Sequence, residues 1–249
     1  MGVAAGRLGL TYPSVAVADA DRAFLAYGVG ERGEAAVRLG DESAVLVPFS
    51  WFYAINEFNG PSAGNTCEEA ILQGISEVVE RHVCALVTRD RIPTPAIDQE
   101  SIIDPVARDL LAKFRDNGIQ VHLNDFSLDT GIPTVAALAW DPATFPASSE
   151  IVYTAGTTPD ANKAVIRALT EVAQLAGDFN TGANYVASGL PKPRSLAEVA
   201  LVVEAERTVR LDEIHDLASD DFRDEVRACV AALARIGLEV FCVDTTHPQ

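Results

Sequence analysis

The longest regular hydrophobic pattern lies between Cys67 and Val87, where apolar side chains recur three and four positions apart. A helix advances about 100° per residue, so this spacing places them on one broad helical face. Thr66 precedes the pattern and Glu69 follows three residues later, which is the spacing of a capping box. The pattern predicts a helix over 67–87 that buries Ile71, Leu72, Ile75, Val78, Val79, Val83 and Leu86.

Shorter helical and strand-like patterns follow each other along the rest of the chain. Apolar residues at helical spacing predict helices over 105–117, 160–179, 195–207 and 220–236. Apolar runs of strand length predict strands over 24–27, 43–48, 119–124, 133–140, 151–154 and 238–243. No strict βαβ order repeats, so we expect an α+β fold with a mixed or antiparallel sheet packed with long helices. The segment 180–194, rich in Gly, Pro and Asn, is expected to be a mobile or substrate-facing loop.

Polar residues occupy the side of the long helix that the apolar pattern leaves open: Glu69, Gln73, Glu77, Glu80 and Arg81. Glu77 and Glu80 are neighbours on the helix surface, and their carboxylates repel each other unless a cation lies between them. Mg²⁺ binds carboxylate together with phosphate oxygens, and Arg81 can contact a phosphate. A solvated helix face explains the same residues, with Glu77–Arg81 as an ordinary ion pair and Glu69 as a capping residue.

A second polar stripe lies on the helix predicted over 160–179, at spacings of three and four residues: Lys163, Arg167, Glu171, Gln174 and Asp178. An exposed helix face is again the simple explanation. Two stripes that both combine carboxylate, amide and guanidinium groups nevertheless fit a nucleotide and metal site assembled between helices.

Charge and composition narrow the classes of function. The formal net charge of −17 disfavours a nucleic-acid groove or an anionic membrane surface as partner. We find no apolar stretch of about 20 residues and no signal peptide, so a cytoplasmic protein is expected. The four cysteines stand far apart, which predicts reduced thiols rather than a zinc site or a disulfide framework.

Familiar catalytic motifs are missing from the sequence. It contains no Walker A loop, no H-E-x-x-H and no G-x-S-x-G, and its one G-x-G-x-x-G spacing, from Gly28 to Gly33, opens no helix. The histidines form no cluster. Typical kinase, dehydrogenase and hydrolase chemistry is disfavoured, and no catalytic residue is assigned.

Two stretches of the chain resemble motifs of the YcaO family. From Ser62 to Arg81 the sequence has the form S-x-x-N-x-x-x-E followed by E-x-x-E-R, which is similar to a nucleotide-binding motif of that family. From Arg167 to Gln174 it has R-A-L-T-E-x-x-Q, similar to a later family motif. The ending GLEVFCVDTTHPQ resembles the strand before the family's C-terminal segment, so the likeness runs from about Leu46 to the end.

The resemblance implies a YcaO-type fold that binds ATP and Mg²⁺ without a P-loop. Such enzymes phosphorylate a backbone amide oxygen of a peptide or protein, leading to an azoline, a thioamide or a related modification. Carried over by position, the nucleotide-binding residues are Ser62, Asn65, Glu69, Arg81, Arg167, Glu171 and Gln174. The metal ligands are Glu69, Glu77 and Glu80. The resemblance also implies a partner protein that delivers substrate or sulfur, and a homodimer.

The sequence departs from the family pattern at both ends. An earlier motif, G-K-G followed by S-x-x-x-E-x-x-E-R, is not found between Met1 and Pro61, and relatives continue beyond the position of Gln249. We therefore expect residues 1–249 to form a single, partial YcaO domain. Two functions stay open: an ATP-dependent amide-activating enzyme, or a catalytically inactive accessory or scaffold that binds a peptide or protein partner.

Overall fold

The computed structural model describes residues 33–48, 59–175, 190 and 192–244. The chain divides into two compact units, residues 1–75 with 219–249 and residues 76–218. In the described part, the helices are α1 (Cys67–Asp90), α2 (Pro105–Asp116), α3 (Ala161–Gln174), α4 (Ala200–Val203) and α5 (Phe222–Arg235). The strands are β1 (Gly33–Arg38), β2 (Ser43–Pro48), β3 (Ala96–Ile97), β4 (Gln120–Asp125), β5 (Thr134–Trp140), β6 (Val152–Thr157), β7 (Thr208–Val209) and β8 (Phe241–Val243).

The first unit contains a three-stranded antiparallel sheet in the order β2–β1–β8. The β1–β2 turn is closed by Asp41, whose carboxylate accepts hydrogen bonds from the backbone N–H and the hydroxyl of Ser43 at 3.0 and 2.6 Å. Helix α5 is capped by Asp221, which accepts from the Arg223 N–H at 2.8 Å. The chain then returns through β8, which places Cys242 opposite Val37 of β1.

The second unit contains a five-stranded sheet in the order β6–β5–β4–β3–β7. The pairs are antiparallel except for β3 and β7, which are parallel, so the sheet is mixed. Helices α2 and α3 pack on one face of it and form a core with inward residues such as Leu123, Val135 and Ala137. The predicted α+β class, with a mixed sheet packed with helices, is confirmed.

Helix α3 lies unusually close to β6. A Cβ atom added to Gly156 would stand 2.6 Å from both the Ala164 carbonyl oxygen and the Ala168 backbone nitrogen. The Thr154 hydroxyl donates to the Ala168 carbonyl oxygen at 2.9 Å. The missing side chain of Gly156 and the small alanines of α3 therefore set the position of the helix that carries the second polar stripe.

Several predicted boundaries agree with the structure, and some do not. Strand 43–48 has the predicted bounds, and α2 ends before Gly118, whose φ of 76° terminates it. The helix predicted over 195–207 is shorter than expected: a 3₁₀ turn at Leu196–Val199 and the short α4 form its first part, and the rest leads into β7, which pairs with β3. The predictions for 24–27, for 176–179 and for most of 180–194 lie outside the described residues.

Two other sequence expectations concern thiols and membranes. The prediction of reduced thiols agrees with the described residues, in which the cysteines form no disulfide; Cys84 and Cys229 are buried, whereas Cys67 and Cys242 are partly exposed. None of the helices in the described part of the chain has the length and apolarity that crossing a bilayer requires.

Candidate nucleotide and metal site

The polar stripe of α1 is not the solvated side of that helix. Glu69, Gln73, Glu77, Glu80 and Arg81 are all only partly exposed. The exposed side in the middle of α1 instead carries Val78, His82 and Ala85, and Val78 is 43% exposed.

The expectation that Val78 is buried is therefore wrong. The buried arc of α1 is rotated toward Ser76, Cys84 and Val87, which are all buried. As a result, Glu77 and Glu80 lie at the edge of the buried arc and are only partly exposed to solvent. This orientation disfavours the simple explanation of the stripe as a solvated surface.

The segment before α1 brings three of the predicted ligands together. The Thr66 hydroxyl accepts the Glu69 N–H at 3.1 Å, so the predicted N-cap is confirmed. The second half of the capping box is wrong, because Oε2 of Glu69 accepts from the backbone N–H and side-chain amide of Asn65, at 2.7 and 3.0 Å. Asn65 and Glu69 thus form a clamp across the start of the helix.

Ser62 also contacts the first turns of α1, through a hydrogen bond to the helix backbone. Its hydroxyl donates to the Ala70 carbonyl oxygen at 2.6 Å, and the side chain is exposed. The segment is pressed against the helix at Gly74, where an added Cβ would stand 2.8 Å from the Gly60 carbonyl oxygen and 3.0 Å from the Ser62 hydroxyl. The Ser62 hydroxyl, the Asn65 amide and the Glu69 carboxylate therefore lie close together where this loop enters α1.

Arg81 and Glu77 form an ion pair one turn apart on α1. Nη2 of Arg81 lies 3.7 Å from Oε1 of Glu77, and each side chain is 31% exposed. The Nε–H of Arg81 is buried, and no acceptor within the described part of the chain reaches it. A buried guanidinium N–H without an acceptor is unfavourable. It fits an anionic ligand such as a phosphate oxygen.

Charged residues of both α1 and α3 act on the buried thiol of Cys84. Burial is the main cause that raises its pKa, and the carboxylates of Glu80 and Glu171 raise it further, while Arg81 lowers it. Glu80 and Arg81 on α1 and Glu171 on α3 therefore all contribute to the electrostatic environment of Cys84. Burial, followed by the charge of Cys84, also raises the pKa of Tyr153 on β6.

The other predicted residues of α3 have different surroundings. Nη1 of Arg167 donates to the Thr157 carbonyl oxygen at 3.2 Å, which directs the guanidinium along the end of β6. Gln174 is exposed in the last turn of α3, one turn beyond Glu171, and Asp178 lies outside the described residues. The α3 stripe is therefore more solvated than the stripe of α1.

The carboxylates of Glu77 and Glu80 fit a metal ion whose remaining ligands are water and substrate phosphate oxygens. Among the described residues, no group of three or more His, Cys, Asp or Glu side chains is close enough to hold a metal ion. Mg²⁺ typically takes one or two protein carboxylates and completes its octahedron with water and substrate phosphates. The placement of Glu77 and Glu80 suits that mode. The assignment of Glu69, Glu77 and Glu80 as metal ligands stays a prediction.

The sequence matches the model of one known protein family. A model described as YcaO cyclodehydratase, binding ATP and Mg²⁺, matches residues 34–249. The chain belongs to the YcaO family. ATP and Mg²⁺ are therefore the cofactors of its family, as the sequence predicts. Whether residues 1–249 form one partial YcaO domain stays a prediction.

Curated proteins and solved structures also match most of the chain. An uncharacterized protein of Methanothermobacter thermautotrophicus is 35% identical over 197 residues, 76% of this chain and 51% of its own length. A heterocyclase in complex with substrate and cofactor has a TM-score of 0.73 and 27% identity, covering 87% of this chain and 31% of that one.

A third YcaO relative was solved with a nucleotide. YcaO from Methanopyrus kandleri, bound with AMPPCP and Mg²⁺, has a TM-score of 0.67 and 27% identity, covering 86% of this chain and 60% of its own. In all three comparisons this chain spans less than two thirds of the relative's length.

Proposed function

We propose that this chain provides part of an ATP- and Mg²⁺-dependent site that phosphorylates a backbone amide oxygen of a peptide or protein. The observation that carries the proposal is the half-buried stripe of α1, in which the Nε–H of Arg81 lacks an acceptor among the described residues. The family supports ATP and Mg²⁺ as the molecules that meet this stripe.

The residues divide the work of phosphoryl transfer between them. Arg81 and Arg167 neutralise phosphate charge, and Glu77 and Glu80 hold the metal ion. The loop with Ser62, Asn65 and Glu69 contributes further contacts to the nucleotide or its metal, and Glu171 and Gln174 complete the opposite wall. Positioning and charge neutralisation are the main demands of this chemistry, because the transferred group carries several negative charges.

Phosphorylation prepares the amide for attack. The amide oxygen displaces ADP from the γ-phosphorus, and a nucleophile then adds to the activated carbon. Phosphate leaves with the former amide oxygen, and the nucleophile's proton is released. A Cys, Ser or Thr side chain gives an azoline, and a sulfide donor gives a thioamide. A heterocyclase of similar structure was solved with its substrate and cofactor, which supports a substrate-binding role. We propose that the substrate is a peptide or protein and that a partner protein delivers substrate or sulfur.

Calorimetric titration with AMPPCP, with and without Mg²⁺, tests the first half of the proposal. We expect binding that requires Mg²⁺. Absence of binding under both conditions would contradict the proposal for this chain and favour the alternative, an inactive accessory protein that binds a peptide or protein partner.

A peptide with a heavy-oxygen-labelled amide tests the second half. If phosphorylation occurs at the amide oxygen, the label appears in the released phosphate after the product forms. Label that stays in the peptide while ATP is consumed would show that the amide is not the phosphorylated group.

A further inference from the structure

An ion pair joins the first turns of α1 and α5, both in the first compact unit. Nη2 of Arg223 on α5 donates to Oε1 of Glu68 on α1 at 3.2 Å. The Glu68 side chain is only 14% exposed, whereas that of Arg223 is 46% exposed. Glu68 directly precedes Glu69, the residue whose carboxylate clamps Asn65. The ion pair therefore acts on the same helical turn as the clamp.

This pair differs from the ordinary surface pairs of the same helix. Arg227 and Asp224 also form an ion pair on α5, at 3.4 Å, but their side chains are 68% and 60% exposed and only three residues apart. Such pairs contribute little to stability because water and salt screen them. Glu68 is mostly withdrawn from water, and removing the partner of a buried carboxylate leaves that charge poorly compensated. The long-range pair thus restrains its two helices more strongly.

The element that carries Arg223 is itself firmly anchored. Asp221 caps α5 through the Arg223 N–H, and the chain continues into β8, which pairs with β1 of the same unit. Burial is the main cause that raises the pKa of Cys242 on β8 to about 11, and the thiol of Cys67 raises it further. Cys67 is the first residue of α1, so the start of α1 lies beside β8 as well as beside α5.

We propose that Arg223 is a positioning residue for the loop with Ser62, Asn65 and Glu69. By holding Glu68, it fixes the first turn of α1, so that the Glu69 carboxylate keeps its place on Asn65. Arg223 does not touch the nucleotide. The functional consequence rests on the proposed nucleotide site, whereas the effect on the clamp does not.

Hydrogen exchange of the nucleotide-free protein tests the effect on the clamp. In Arg223→Gln we expect the Asn65 N–H, which donates to Glu69, to exchange about threefold to tenfold faster than in the parent. The charge swap Glu68→Arg with Arg223→Glu should restore slow exchange, and Arg227→Gln is the matched control. Unchanged exchange, an equal effect of Arg227→Gln, or acceleration throughout the chain would overturn the proposal.

A titration of Mg²⁺ at fixed AMPPCP tests the consequence for the site. In Arg223→Gln the midpoint should move to about threefold to tenfold higher Mg²⁺, and the charge swap should reverse the shift. An unchanged midpoint would overturn the positioning role. If the parent protein binds no AMPPCP, the proposed function fails, and the exchange measurement still decides whether Arg223 holds the clamp.

Discussion

At the scale of single residues, the account depends on how polar groups are placed relative to solvent. Arg81 is held by Glu77 on one side while its Nε–H stays buried, and Glu80 borders the interior beside Cys84. Burial makes such groups sensitive to what binds them, because an unpaired polar group in the interior is unfavourable. A ligand with phosphate oxygens supplies the acceptor that the Nε–H of Arg81 lacks among the described residues.

Arg81→Gln tests the phosphate contact. Loss of a charge-assisted hydrogen bond should weaken AMPPCP binding in the presence of Mg²⁺ by about tenfold or more. The free energy of unfolding should fall by less than about 1 kcal/mol, because the ion pair with Glu77 is partly exposed. Arg89→Gln is the control, since Arg89 lies on the same helix and is 70% exposed. Equal affinities of the two variants, measured by calorimetry, would contradict the assignment.

Glu80→Gln tests the metal contact. The substitution keeps the size of the side chain and removes its charge, so Mg²⁺ should no longer strengthen AMPPCP binding, while the melting temperature stays close to that of the parent. The comparison variant is Glu206→Gln, which neutralises an exposed carboxylate elsewhere. A Mg²⁺ dependence that survives in Glu80→Gln but weakens in the control would reverse the interpretation, and unfolding would indicate a structural role.

At the scale of elements, close backbone contacts position the two helices that carry the stripes. Gly156 allows α3 to approach β6, and Gly74 allows the loop with Ser62 to fold against α1. In both places a side chain would meet backbone atoms, which have little room to move. The two glycines are therefore linked to function through packing rather than through chemistry.

Gly156→Ala should destabilise the second unit. The added methyl group would stand 2.6 Å from backbone atoms of α3, so the helix must shift. Overpacking of this kind costs roughly 1–3 kcal/mol. Urea unfolding measures the effect, with Gly40→Ala as the control because nothing lies within 4 Å of its added Cβ. Equal stabilities of the two variants would show that α3 is not tightly seated.

Gly74→Ala should weaken AMPPCP binding without unfolding α1. Alanine favours the helix over glycine by up to about 1 kcal/mol, which offsets part of the strain against Gly60. The displaced Ser62 loop should lower the affinity for AMPPCP with Mg²⁺ severalfold while α1 stays helical. Circular dichroism and calorimetry measure the two effects, and unchanged affinity would remove the loop from the proposed site.

Much of the element pattern is predictable from the sequence because it depends on local periodicity and capping. The start of α1 at Cys67 and the end of α2 before Gly118 follow from caps. Strand β1 was not predicted, because the segment GEAAVR contains few β-forming residues, and its pairing with β2 and β8 supplies the stabilisation. Strands β3 and β7 have two residues each: β3 is stabilised by pairing with β4 and β7, and β7 by pairing with β3.

The composition of the candidate site is also predictable, but its geometry is not. Helical spacing predicts that Glu77, Glu80 and Arg81 share one face of α1. Whether that face is exposed or buried depends on how α1 packs against the rest of the protein. The sequence also contains no local sign that Glu171 lies near Cys84, since tertiary packing brings them together. Gly74 within a helical pattern is the one local signal in this stretch that indicates a packing role.

At the scale of the whole molecule, each of the two compact units contains some of the predicted residues. The loop with Ser62, Asn65 and Glu69 belongs to the first unit, and the stripes from Glu77 onward belong to the second. The chain spans about half the length of its relative from Methanothermobacter thermautotrophicus. The central claim is that residues of this chain, Arg81 above all, bind the nucleotide directly.

A crystal structure of the chain grown with AMPPCP and Mg²⁺ tests that claim most directly. We predict a phosphate oxygen within hydrogen-bond distance of the Arg81 Nε, and a metal ion between that phosphate and Glu77 or Glu80. A nucleotide bound elsewhere, with a protein acceptor on the Arg81 Nε, would contradict the account.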